Sequence, residues 1–162
     1  MISFSDLNSS LESFLSSILE KGFFLEYEVF LFMFISGCRF AEVVNRGDWT
    51  IDSNLNLSFD TLKNGGRRTI QLDEDMTFVI MSAQENENYH LSRNYEYYLK
   101  FFQARYEFSN LRIGKKSVGL HLFRHNRVKQ KYLELGNVDL VRDYFKLSSN
   151  AVTSIYINSL IE

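Results

Sequence analysis

Three residue types that can act on a phosphate stand close together late in the chain. His121 and Arg124 are one helical turn apart, so they share a face of any helix that starts there. Tyr156 follows on a short, mostly polar stretch. From Asn110 to Leu133 there is no acid and there are seven bases: Arg112, Lys115, Lys116, Arg124, Arg127, Lys129 and Lys131. An imidazole, a guanidinium and a phenol beside such a strip point to phosphate chemistry. Arg39 and Glu42, three residues apart in an apolar stretch, form a second candidate pair, because a buried guanidinium needs a partner.

Composition bounds the reading. A chain of 162 residues, 45% hydrophobic and 15% aromatic, is one domain by expectation and can fill a sizeable core. No run reaches the roughly 18 apolar residues of a membrane span. The single cysteine, Cys38, excludes an internal disulfide and fits a reducing compartment. His90, His121 and His125 have no companion cysteines at metal-ligand spacing. The formal net charge of −2 argues against a generic nucleic-acid binder. Its distribution does not, because residues 1–28 hold five acids against one base, far from the basic strip. Such asymmetry permits one phosphate-facing surface on an acidic protein.

The elements that must position these groups follow from periodicity. Leu7, Leu11, Phe14, Leu15, Ile18 and Leu19 predict a helix that begins near Ser5-Asp6 and ends at Lys21-Gly22. A nearly all-apolar run from Glu26 to Ser36 predicts a buried helix. Phe40, Val43 and Val44 predict a third, up to Gly47. The period then changes. Leu55-x-Leu57-x-Phe59 and Thr69-Ile70-x-Leu72 predict two strands around Lys63-Asn64-Gly65-Gly66, a hairpin signal. Helices are expected again over roughly 73–83, over 92–108 with a stripe of Tyr95, Leu99, Phe102 and Tyr106, and near 121–134, 138–146 and 149–160. Residues 110–119 are expected to be a basic loop. The result is an α+β domain, mostly helical, with one small antiparallel sheet.

These stretches together resemble the tyrosine recombinase (phage integrase) family. His121-Leu122-Phe123-Arg124 followed by Tyr156 is similar to its His-x-x-Arg and nucleophilic Tyr. Ile35-Ser36-Gly37-Cys38-Arg39-Phe40-Ala41-Glu42 resembles its T-G-x-R-x-x-E stretch. Gly47-Asp48-Trp49-Thr50-Ile51-Asp52 resembles the W-x-x-I-D segment that leads into the sheet. Lys63-Asn64-Gly65-Gly66-Arg67-Arg68-Thr69-Ile70-Gln71-Leu72 is similar to the K-T-G hairpin. The order Arg, Lys, His-x-x-Arg, Tyr is kept across nearly the whole chain.

The resemblance implies a catalytic domain over 1–162, with no counterpart to the family's N-terminal core-binding domain. It implies DNA cleavage and rejoining through a 3′-phosphotyrosyl link on Tyr156, without cofactor or metal. Arg39 and Arg124 would hold the non-bridging oxygens, His121 would bond the phosphate or relay a proton, and Lys63 would protonate the 5′ oxygen. A free phenol is a weak nucleophile at neutral pH, so cationic neighbours must favour the phenolate. Glu42 would support Arg39, and His125 would be structural. Arg112, Lys115, Lys116, Arg127 and Lys129 would face double-stranded DNA, on which the family self-associates as a tetrameric synapse. A cytoplasmic, nucleoid-associated protein of prokaryotic or mobile-element origin is the matching setting.

Two departures stand out. Nine residues before the tyrosine, where the family places a His or Trp that donates to the scissile phosphate, this chain has Leu147, preceded by Lys146. Only Ile157–Glu162 follow Tyr156, where the family commonly has a longer tail that docks on a neighbour. A non-catalytic DNA-binding relative and a helical protein-interaction domain are the competing expectations.

Overall fold

The computed structural model describes residues 2–44, 49–61, 66–74, 76–77, 94–113 and 116–158. Helix α1 (Phe4–Glu20) begins where the Ser3 side chain accepts the Asp6 amide at 3.1 Å, and it buries Leu7, Leu11, Phe14, Leu15 and Ile18 on one face. Helix α2 (Phe24–Ser36) is apolar almost all round and lies in the middle of the core, with Val29, Phe30, Phe32 and Met33 closed to solvent. It stops at Gly37, whose φ of 64° is left-handed. Only glycine fits this turn for a second reason. A Cβ there would stand 2.8 Å from the Phe145 ring and 2.9 Å from Arg127 Cβ. Helix α3 (Phe40–Val44) follows at once.

Strands β1 (Thr50–Ile51), β2 (Asn56–Asp60) and β3 (Arg67–Gln71) form an antiparallel sheet in that order. The register sets Leu57 opposite Ile70 and Phe59 opposite Arg68, and all four side chains are buried on one face. Trp49 leads into the sheet and stacks on Phe32, ring centroids 4.0 Å apart. The Thr61 amide donates to Gly66 O at 3.1 Å across the base of the β2–β3 connection. Lys63 and the rest of the expected hairpin tip, 62–65, lie outside the described residues. So does most of the helix expected over 73–83, although Asp73 accepts the Met76 amide at 2.7 Å as a helix start would.

Helix α4 (Tyr95–Arg105) is capped by Asn94 and buries Tyr98, Phe101 and Phe102. Of the expected stripe, Phe102 and Tyr106 are buried and Leu99 packs against the core, while Tyr95 is 45% exposed. Phe101 and Phe102 join Phe14, Phe30 and Phe123 in an aromatic cluster. The stretch read as a basic loop contains a two-stranded ribbon, β4 (Arg112–Ile113) and β5 (Lys116–Ser117), too short to show alternation.

Three helices complete the described chain: α5 (His121–Leu135), α6 (Val138–Phe145) and α7 (Asn150–Asn158). Leu122 and Phe123 of α5 belong to the main core, while Val128 belongs to a second, smaller one with Val141, Phe145 and Leu147. Tyr156 and Ile157 of α7 pack against that second core. Helix α5 thus joins the centre of the domain to the helix that carries the tyrosine.

Candidate active site

The turn after α2 and the first two turns of α5 form the floor. Arg124 is 1% exposed, and its Nη1 donates to Gly37 O at 2.8 Å. Its guanidinium carbon lies 5.3 Å from the centroid of the Tyr156 ring and 5.8 Å from that of Phe145. Among the described residues, no acceptor takes its Nε or Nη2 hydrogens. Burial lowers the Arg124 pKa and the like charge of Arg39 pushes it the same way, while Tyr156, Glu42 and Cys38 oppose them. A buried arginine that feels the like charge of a second one is costly to fold unless an anion is to be met there.

Arg39 presents a partly exposed side chain at the start of α3. Buried Glu42 accepts the Arg39 amide at 2.7 Å and lies 3.8 Å from its guanidinium, so one carboxylate fixes both the backbone and the head group. Arg39 and His121 line one cleft of 260 Å³ with Met33, Cys38, Phe40, Ala41, Tyr95 and Leu120. His121 is exposed at the first position of α5, one turn from Arg124. Buried Cys38 has its thiol pushed up to about 12 by burial, which keeps it neutral.

Tyr156 is half-buried on α7. Its ring centroid is 4.8 Å from that of His125, and His125 hydrogen-bonds the Tyr156 main chain. Burial first, then the charges of Lys129, His121 and Arg124, bring the His125 pKa down to about 4, so the imidazole is neutral at physiological pH. Lys129, one turn further along, donates from Nζ to Ile157 O at 2.9 Å. The structure therefore brings Arg39, Glu42, His121, Arg124, His125 and Tyr156 together at one end of the second core.

The other expected residues are placed as follows. Lys146 ends α6 in a left-handed conformation (φ 55°), with its side chain exposed. A Cβ on Gly66 would stand 4.0 Å from its Cδ, so Lys146 borders the base of the β2–β3 connection. Leu147 is 7% exposed and packed into the second core. Arg112 is exposed on β4, and Arg127 Nη1 donates to Gln130 at 2.6 Å. Lys115 lies outside the described residues, as does the side chain of Lys116.

Sequence reasoning passed over Arg68. It is 1% exposed, donates from Nη2 to Ser36 O at 2.7 Å and from Nε to Tyr144 O at 3.1 Å, and lies 4.8 Å from the Phe145 ring. Burial lowers its pKa to about 10, with the charge of Arg124 adding to the effect and Cys38 and Tyr144 opposing it. It ties the sheet to the α2 turn and to the end of α6. The alternation Arg68-x-Ile70-x-Leu72, which puts Arg68 on the inward face, was the available signal.

No family model and no curated protein matches the chain. Solved structures do. The XerH site-specific recombinase bound to palindromic difH substrate, in a post-cleavage complex, superposes with a TM-score of 0.69 over 92% of this chain and 48% of that one, at 19% identity. The chain shares the fold of this part of the XerH recombinase. A pre-cleavage complex of XerH with difH gives a TM-score of 0.65 at 22% identity, over 90% of this chain and 48% of that one. The chain thus spans about half the length of the recombinases it matches. Among the described residues no helix is long and apolar enough to cross a membrane, and no cluster of His, Cys, Asp and Glu could hold a metal.

Proposed function

We propose that this recombinase-fold domain cleaves and rejoins double-stranded DNA through a 3′-phosphotyrosyl intermediate on Tyr156. The observation that carries the reading is Arg124. This buried guanidinium stands 5.3 Å from the Tyr156 ring, with two N–H groups that no described acceptor takes. In the reaction, Tyr156 gives its phenol proton to His121 as Oη attacks the phosphorus, the bond from phosphorus to the 5′ oxygen breaks, and Lys63 gives the leaving oxygen its proton. Rejoining reverses each step. The bond energy is kept in the tyrosyl ester, so the scheme calls for no nucleotide cofactor.

Arg39 and Arg124 neutralise the charge that builds on the non-bridging oxygens, a type of stabilisation that dominates phosphoryl transfer. Glu42 holds Arg39 in place. His121, on the same cleft as Arg39, bonds the phosphate or relays the proton. Arg112, Lys115, Lys116 and Arg127 supply positive charge along the DNA, and the domain self-associates on its substrate in the cytoplasm.

A non-catalytic DNA-binding relative is the second reading, and the burial of Leu147 favours it. Incubation with a nicked suicide substrate separates the two. A band of covalent protein–DNA adduct supports cleavage. Salt-dependent binding with no adduct under any condition selects the second reading.

A further inference from the structure

Helix α5 carries two further residues that reach α7 at the tyrosine. His125 and Lys129 are four apart and share a face. His125 hydrogen-bonds the main chain of Tyr156, and Lys129 Nζ donates to Ile157 O at 2.9 Å. The ammonium thus holds a main-chain carbonyl of α7 next to the tyrosine.

A lysine that contacts DNA phosphates keeps its head group in water, where counterions can be exchanged. Lys129 does not fit that description. It is partly buried, and burial lowers its pKa. We infer that Lys129 is a positioning residue for Tyr156: by binding the carbonyl of the next residue it fixes the turn of α7 that bears the tyrosine, and so the height and rotation of the phenol above Arg124. This rests on the reading that Tyr156 is the nucleophile. It takes Lys129 out of the DNA-facing strip in which its charge alone would place it.

The consequence follows from geometry. Arg124 and Lys129 lie on one rigid helix, so phosphate-binding group and nucleophile are referred to the same frame. If Lys129 is lost, α7 keeps its packing through Tyr156 and Ile157 on the second core and its bond to His125, but loses one of the two polar contacts from α5 that set its axial position. Attack distance then varies, and the rate falls while DNA affinity does not.

The test compares wild type, Lys129→Met and Lys129→Arg in three measurements: DNA affinity across a salt series, single-turnover adduct formation at saturating DNA, and amide exchange over residues 150–158. For Lys129→Met we expect unchanged affinity and salt slope, adduct formation slower by about ten-fold, and faster exchange in α7. Lys129→Arg, which can still reach a carbonyl, recovers most of the rate. If Lys129→Met instead lowers affinity and reduces the salt slope, the lysine meets phosphate and the inference is wrong. If wild type forms adduct and Lys129→Met matches its rate, this inference fails while the tyrosine reading stands. If wild type forms no adduct, the tyrosine reading fails and takes the inference with it.

Discussion

The guanidinium carbon of Arg124 stands 5.3 Å from the centre of the Tyr156 ring, so an anion held by that cation would lie beside the phenol. The two residues are thirty-two positions apart. They meet because α5 and α7 pack on the same small core of Val128, Val141, Phe145 and Leu147. Arg124 is itself anchored, since its Nη1 is spent on Gly37 O.

That anchoring makes Arg124→Lys a demanding substitution. An ammonium cannot hold the carbonyl and offer a planar fork to phosphate at once. Single-turnover cleavage should fall about a hundred- to a thousand-fold, and thermal unfolding should show a loss of about 1–3 kcal/mol. A variant that cleaves within a few-fold of wild type would mean that the scissile phosphate lies elsewhere.

Leu147 and Lys146 separate packing from donation. Leu147 is closed into the second core, so Leu147→His buries a polar ring and should cost about 1–3 kcal/mol without raising the cleavage rate. Lys146 is left-handed at φ 55°, so Lys146→Gly should raise stability by about 0.5–1 kcal/mol. If Lys146 donates to the phosphate in place of the missing His or Trp, the same glycine variant slows cleavage while its melting temperature rises. Faster cleavage in Leu147→His would contradict this account of the departure.

Acid should weaken the domain through His125. Its pKa is about 4 in the fold against 6.5 for a free imidazole, so well above 6.5 the ring is neutral in both states. Between those values the unfolded chain takes up a proton that the folded one refuses, and stability falls as pH falls through that window. The slope approaches about 1.4 kcal/mol per pH unit, and the sum is at most about 3 kcal/mol. Chemical denaturation at pH 7 and pH 4.5 measures the drop, and His125→Gln should flatten it. A wild-type stability independent of pH across that range would show that His125 protonates freely in the fold.

Much of this was legible before any coordinates. The 3.6-residue period located α1, α2 and the last three helices, and alternation located β2 and β3, because in each case one face is buried and the pattern records it. That His121 and Arg124 are neighbours was legible because they lie one turn apart on a helix.

What was not legible has a common cause: the partners of a buried charge lie far along the chain. Arg68 falls on the inward face of β3, but a guanidinium in an apolar alternation reads as an interruption until the carbonyls of Ser36 and Tyr144 are found around it. Lys129 falls within a basic strip, and nothing local in the sequence says that α7 returns to meet it. Long-range partners decide the role of a charged side chain, and sequence spacing does not supply them.

The central claim is that Tyr156 becomes joined to DNA. The most direct measurement traps wild-type protein on a nicked duplex with a labelled 3′ phosphate, digests the adduct, and locates the nucleotide by mass. The account predicts one modified peptide, with the nucleotide on Tyr156. It also predicts no adduct from Tyr156→Phe, in a protein that melts and binds DNA like wild type. A nucleotide on Tyr144 or any other residue, or an adduct that persists in Tyr156→Phe, would contradict it.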